Sequence, residues 1–162
     1  MESLKKEAQK ELLEESHRHA ISRVLKTVPG MGDVRVAQAM AIVVTPHRFR
    51  TKRQFWSYSG LGIVMRSSSD YVQQDGRWVR APVMATRGLN IRSNHHLKRI
   101  FKGAAITVVS QLPHSSLGQS YATHLANGTK PNLAKLTLAR KLAAIFLAMW
   151  KKEEEYDPKR YR

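Results

Sequence analysis

Apolar residues recurring three and four positions apart are the dominant pattern of this chain, and they predict helices. Residues 94–111 show it best. Leu97, Ile100, Phe101, Ala104, Ala105 and Val108 fall on one face, and His95, Lys98, Arg99 and Lys102 on the other. Asn94 is placed to cap this helix, and Pro113 follows its end. Residues 117–126 predict a shorter helix closed by Asn127-Gly128. Residues 131–150 predict the last and longest, with Leu133, Leu136, Ala139, Ala143, Phe146 and Leu147 inward. At the other end, a sparse stripe through Leu4, Ala8, Leu12, Ala20 and Val24 predicts one charged helix over residues 4–25. Such a helix is either solvated or the end of a longer coiled coil.

Between these helices the pattern shortens. Residues 25–44 run Leu25-x-x-Val28-Pro29-Gly30-Met31-Gly32, followed by Ala37, Ala39, Met40 and Ile42 at helical spacing. Two glycines flanking one apolar residue predict a tight turn between short helices, a helix-hairpin-helix. The backbone N–H groups at Gly30 and Gly32 are candidates for contact with a DNA phosphate; an ordinary helix–helix turn is the other reading. Residues 45–53 form a basic loop with His47, Arg48, Phe49, Arg50, Lys52 and Arg53, and residues 54–58 a short helix packing Phe55 and Trp56. Ser59-Gly60-Leu61-Gly62 breaks it. Residues 63–66 then read as a strand, Gln74-Asp75-Gly76-Arg77 as a turn, and residues 78–80 as a second strand pairing back on the first. Residues 67–71 would lie inside that hairpin. Residues 87–92 read as a further basic turn. The expected class is mainly α with a small β-hairpin insert: a helix-hairpin-helix followed by a helical bundle, without internal repeats.

Charge changes this picture from a fold to a partner. The 162 residues carry a net charge of +16, and the distribution is sharper than the total. Between Ser16 and Lys152 only Asp33, Asp70 and Asp75 stand beside 22 lysines and arginines. Such a field favours a polyanion, and nucleic acid is the commonest. The longest apolar run, residues 142–150, is too short to span a bilayer. The charged N-terminus does not read as a signal peptide, and a cytoplasmic location is expected.

The chemistry available is narrow. The absence of cysteine excludes disulfides, thiol catalysis and cysteine zinc sites. His17 with His19, and His95 with His96, are poorly spaced as paired ligands on a helix, so no metal site is expected. A hydrolytic triad needs an orienting acid, for which the middle of the chain offers only Asp33, Asp70 and Asp75, a weak basis; a two-metal nuclease needs several converging carboxylates, which the middle does not supply. What remains is Ser67-Ser68-Ser69 between Arg66 and Asp70, with Arg77, Arg80 and Arg87 following. A serine hydroxyl can attack a phosphodiester, and guanidinium forks suit the charge of a pentacovalent phosphate. By residue chemistry alone such a triplet is more often a polar turn or cap than a nucleophile.

Several motifs in order carry a resemblance. Thr27-Val28-Pro29-Gly30-Met31-Gly32, Pro46-His47-Arg48-Phe49-Arg50, Tyr58-Ser59-Gly60-Leu61, Ser67-Ser68-Ser69, Arg87-Gly88-Leu89-Asn90 and Ala139-Arg140-Lys141-Leu142 together resemble the C-terminal transposase domain of the IS-one-ten family of insertion-sequence transposases. The resemblance extends over residues 24–158. It implies a DNA recombinase whose serine nucleophile forms a covalent phosphoserine intermediate before strand exchange. Carried over by position, the nucleophile falls eight residues after Gly60, at Ser68, with Ser67 and Ser69 as alternates. The family usually has glycine immediately after that serine, whereas this chain has Ser69.

The resemblance also implies what lies outside this sequence. An acidic RNase-H-like domain would bind magnesium and complete the active site, with a coiled-coil linker joining the two parts. No cofactor is expected within the chain itself. Residues 1–24 would be the remnant of the linker. Residues 25–158 would be the serine-bearing domain, with the helix-hairpin-helix at 25–44, the serine insert at 60–92 and the helical part at 94–150; residues 159–162 would be a basic tail. The expected partners are DNA, a structured guide RNA, the acidic domain and further copies of the chain, but no membrane. The expected nucleic-acid contacts are Gly30, Gly32, Arg48, Arg50, Lys52, Arg53, Arg66, Arg77, Arg80, Arg87, Arg92, Lys98 and Arg99. The chain alone is expected to be an inactive fragment. The rival expectation is a non-catalytic helix-hairpin-helix binder of nucleic acid.

Overall fold

The longest apolar pattern, that of α7 (Pro131–Lys152), becomes the axis of the molecule. Proline at its first turn suits a helix start, where its missing N–H is no loss. The computed structural model describes residues 1–66, 71–80 and 85–161, with the backbone alone for residues 65, 66 and 85–87. Six further α-helices are present among them: α1 (Glu2–Arg18), α2 (Ala20–Lys26), α3 (Asp33–Val43), α4 (Lys52–Tyr58), α5 (His95–Gln111) and α6 (Ser116–Ala126). A 3-10 turn, Pro46–Arg48, lies between α3 and α4. Four short strands lie between α4 and α5: β1 (Ile63–Arg66), β2 (Tyr71–Gln74), β3 (Arg77–Arg80) and β4 (Ala85–Leu89). The fold is mainly α with a small β insert.

Helices α2, α4, α5 and α6 all pack on α7. Its second half is therefore buried nearly all round, through Leu138, Ala139, Leu142, Ala143, Ile145, Phe146, Leu147, Met149 and Trp150. Leu133, expected inward, is exposed. Its neighbour Ala134 takes the inward place, and one residue along a helix is a rotation of about 100°. The face expected of α5 is buried as read, from Leu97 to Val108, and Asn94 accepts from the Leu97 N–H at 3.0 Å. Edge-to-face aromatic contacts cross the core from Phe49 to Phe55, Phe101, Phe146 and Trp150, with ring centroids 5.0 to 5.7 Å apart.

Two expectations are corrected. The first helix is not continuous over residues 4–25. It breaks at His19, whose ψ of 118° is extended. There the buried hydroxyls of Ser16 and Ser22 meet at 3.0 Å. The apolar stripe lapses between Leu12 and Ala20, so nothing in that stretch demands one straight helix. The break lets both α1 and α2 lie against α3.

The strands also pair differently from the expected hairpin. β1 pairs antiparallel with β4, matching Ile63 to Leu89 and Arg66 to Ala85, while β2 pairs with β3, from Tyr71–Arg80 to Gln74–Arg77. The turn between β2 and β3 is two residues long, Asp75 (φ 52°) and Gly76 (φ 75°), both left-handed as a type I′ hairpin requires. That turn commits residues 77–80 to residues 71–74, and β1 must find another partner. Arg87-Gly88-Leu89, expected in a basic turn, lies in β4. An extra β4 residue opposite β1 makes a bulge there, with Gly88 at φ 84°. Ser67, Ser68, Ser69 and Asp70 fall between β1 and β2, outside the described residues. Among the described residues no helix is long and apolar enough to cross a membrane.

Candidate nucleic-acid interface

Motifs far apart in sequence meet where the strands leave the helical core. The Asn90 backbone N–H donates to the Gly62 carbonyl (3.1 Å), and the Asn94 N–H to the Tyr58 carbonyl (2.8 Å). The Asn90 side-chain amide donates to the Ser57 carbonyl at 3.3 Å. The chain entering β1 and the chain leaving β4 are thus stitched together. α7 secures the stitch. Arg140 Nε donates to the Leu61 carbonyl (2.6 Å), and Trp56 Nε1 donates to the Arg140 carbonyl (2.9 Å).

Arg140 is half-buried, and the loss of solvent pushes its guanidinium below its ordinary pKa. It has no carboxylate partner among the described residues. It lines a cleft of 320 Å³ with Arg53, Trp56, Ser57, Gly62 and Ile63. Two guanidinium groups 87 positions apart in sequence therefore border one opening beside β1. Arg140→Met keeps the apolar stem but leaves the buried Leu61 carbonyl without its donor. Urea unfolding is expected to show a loss of about 1–3 kcal/mol. An unchanged midpoint would remove Arg140 from the clamp.

The other expected contacts divide by what they already touch. Arg48 is engaged within the fold: Nη1 donates to the Val43 carbonyl (3.2 Å), and the guanidinium lies over the rings of Phe49 and Tyr58. The Lys52 ammonium lies 5.6 Å from the centre of the Trp56 ring. Arg50 and Arg53 are exposed. The Arg50 N–H is held by Gln54, whose side chain with that of Thr51 forms a capping box for α4. Lys98 is half-buried beside Gly60. Arg99 is exposed and lines a second groove with Lys5, Arg35 and His96. Arg77, Arg80 and Arg92 are exposed on or just after the strands. Arg66 and Arg87 are described by their backbone only. Among the described residues bases line two openings: Arg53 with Arg140 beside the strands, and Arg99 with His96 beside α3 and α5.

The turn of the helix-hairpin-helix has its own constraints. Gly30 has φ 79°, and a Cβ there would stand 2.4 Å from the Ala104 carbonyl oxygen of α5. Its own carbonyl accepts from Arg35 Nη1 at 2.7 Å, and the same nitrogen donates to Thr107 Oγ1 at 3.0 Å. Gly30 is therefore a helix-packing position. Gly32 is the exposed N-cap of α3, with open space where a Cβ would go. Beside it stands Asp33, with the Lys26 ammonium at 2.5 Å and His17 Nε2 at 3.3 Å. The Lys26 hydrogen bond holds its carboxyl below the ordinary value. An anion already occupies the start of α3, where the helix dipole favours one.

Among the described residues no three of His, Asp or Glu converge, and they do not fit a magnesium site. Reading the sequence missed Asn90 and Arg140 as clamp residues, although both stand inside motifs that carried the resemblance. It also missed Tyr71 and Trp78, which a strand assignment for residues 71–74 would have placed together.

A family model described as "Transposase IS116/IS110/IS902 family" matches residues 22–121, from α2 into α6. No curated protein matches the chain. The matched span takes in the helix-hairpin-helix, all four strands and the Asn90 half of the clamp. The chain belongs to the IS116/IS110/IS902 transposase family, and membership carries with it transposition of an insertion element and DNA as the partner.

Proposed function

We propose that this chain supplies a serine nucleophile for DNA strand exchange, with Ser68 as the attacking residue and Ser67 and Ser69 as its alternates. The observation that carries this reading is the clamp at Asn90, Leu61 and Arg140. It anchors the two inner strands beside a cleft bordered by two arginines, and the serine triplet follows directly on β1. Family membership supports the reaction class.

In the proposed step, Ser68 Oγ forms a bond to phosphorus as one bridging P–O bond of the DNA breaks. The proton given up by the serine ends on the departing hydroxyl. Attack by the hydroxyl of another strand reverses the step and joins new partners. One phosphate ester replaces another each time, so no outside energy source is required. Guanidinium groups from among Arg66, Arg77, Arg80 and Arg87 offset the charge that builds on the pentacovalent phosphate. Arg50, Lys52, Arg53, Arg92, Lys98 and Arg99 hold the flanking backbone, as does the N–H of Gly32. Magnesium would be held by an acidic RNase-H-like domain beyond these residues. A structured guide RNA and assembly with further copies belong to the same proposal.

The test is trapping. The chain is combined with an acidic-domain partner, magnesium, RNA and DNA, and covalent protein–DNA adducts are sought on denaturing gels. Ser68→Ala is expected to abolish the adduct. An adduct that persists in Ser68→Ala, with Ser67 and Ser69 intact, sinks the assignment.

A further inference from the structure

We propose that the outer strand pair, β2 with β3, is a binding surface for unpaired DNA, on which Tyr71 and Trp78 stack against bases while Arg80 holds a phosphate. The proposal rests on the strand-exchange reading and names the form of DNA that the serine region handles.

Every residue of β2 and of β3 is exposed. Tyr71 is 61% exposed and Trp78 69%. Among the described residues no core lies behind this two-stranded ribbon, which by itself is marginal in water, and burial of these rings does not stabilise it. Large aromatics so placed mark a surface that something else covers.

The register says what. Tyr71 stands opposite Arg80 and Gln73 opposite Trp78. Side chains alternate along a strand, so these four share one face. Val72, Val79, Gln74 and Arg77 share the other. One face thus offers two ring surfaces, a guanidinium and an amide. The only carboxylate between residues 71 and 80 is Asp75, at the turn. Rings interleaved with guanidinium groups are the composition of stacking platforms for single strands. In an intact duplex both faces of each base are already stacked, and an exposed ring finds only edges and phosphates. The surface therefore favours unpaired bases over duplex. Tyr71 is three positions after the proposed nucleophile Ser68 in the sequence. Strand exchange requires an unpaired strand, because a joined end must leave its old partner before it pairs with a new one.

Fluorescence isolates the site. Trp150 is buried, and Trp56 is half-buried with its N–H bonded to Arg140. Trp78 is thus the one freely exposed tryptophan of the three. The full chain is titrated with a short oligothymidylate, a duplex of equal length and a short oligouridylate, following tryptophan emission and the anisotropy of labelled strands. Oligothymidylate is expected to quench the emission, and Trp78→Phe to remove most of that quenching. The double substitution Tyr71→Ala with Trp78→Ala is expected to weaken oligothymidylate binding about 10–100-fold while duplex binding changes less than about twofold. Both positions are exposed, and unchanged helical circular dichroism confirms the fold.

Equal loss of single-strand and duplex binding overturns the proposal. So does quenching that is independent of Trp78, or the absence of oligothymidylate binding. Tighter binding of oligouridylate than of oligothymidylate would move the surface to RNA. Self-association lost in the double variant, without loss of DNA affinity, would make it a contact between copies. Ser68→Ala is expected to leave oligothymidylate binding intact, so failure of the nucleophile assignment and failure of this surface are read separately.

Discussion

Gly30→Ala is expected to destabilise the chain by about 2–5 kcal/mol, combining the left-handed backbone cost of a non-glycine residue with overpacking. The backbone there has φ 79°, and the new Cβ would meet the Ala104 carbonyl oxygen at 2.4 Å and Val108 Cγ2 at 3.1 Å. Neither the Ala104 carbonyl nor the turn can move without lifting α3 from α5, and Arg35 ties the Gly30 carbonyl to Thr107. Chemical denaturation followed by circular dichroism measures it; a change below about 1 kcal/mol would show that the close approach is dispensable. Loss of function in Gly30→Ala would therefore report on folding. Gly32→Ala is the clean probe of phosphate contact, because its Cβ would enter open space. A binder that works through the hairpin turn would be weakened by Gly32→Ala and indifferent to Ser68→Ala. A strand-exchange domain reverses that order.

Phe101→Ala is expected to cost about 3–5 kcal/mol, the range for deleting a fully buried aromatic ring. Phe101 is 0% exposed and joins Phe55 of α4 to Phe146 of α7 through edge contacts at 5.7 and 5.6 Å. Three helices converge on that ring, so the cavity cannot close without shifting all of them. The damage would not stay in the core. α4 carries Phe55 inward and Trp56 towards the Arg140 clamp, and a retreat of Phe55 loosens the root of the strands. Thermal and urea unfolding of Phe101→Ala and Phe101→Leu separate lost volume from lost aromatic contact. Equal midpoints for wild type and Phe101→Ala would show that the ring is not structural.

The helices were legible because their signals are local. The face of α5 recurs with a helical period against one packed surface, and every residue assigned to it is buried. Asn94, Asn127 and Pro131 mark helix ends through bonds or torsions spanning a few residues. α7 was legible as a helix but not as a face, because four helices surround it and erase the contrast between its sides. The strand pairing was half legible. The two-residue turn at Asp75-Gly76 defines the partners of β2 and β3 by register, whereas nothing local connects Ile63 to Leu89.

The candidate site divides in the same way. The sequence by itself determined that a basic chain, nearly free of carboxylates in its middle, carries three serines among arginines. It also determined the helical period and the order of motifs that marks the family. Each of these is written in residue type and short spacing. Only the tertiary structure decided that Asn90, Leu61 and Arg140 form one clamp, that Arg53 and Arg140 border one cleft, and that Gly30 serves packing against α5. It alone set Tyr71 and Trp78 on one exposed face. The reason is physical: a hydrogen bond between residues 79 positions apart, such as that from Arg140 to Leu61, exists only once the core has packed α7 against α4 and the chain that enters β1.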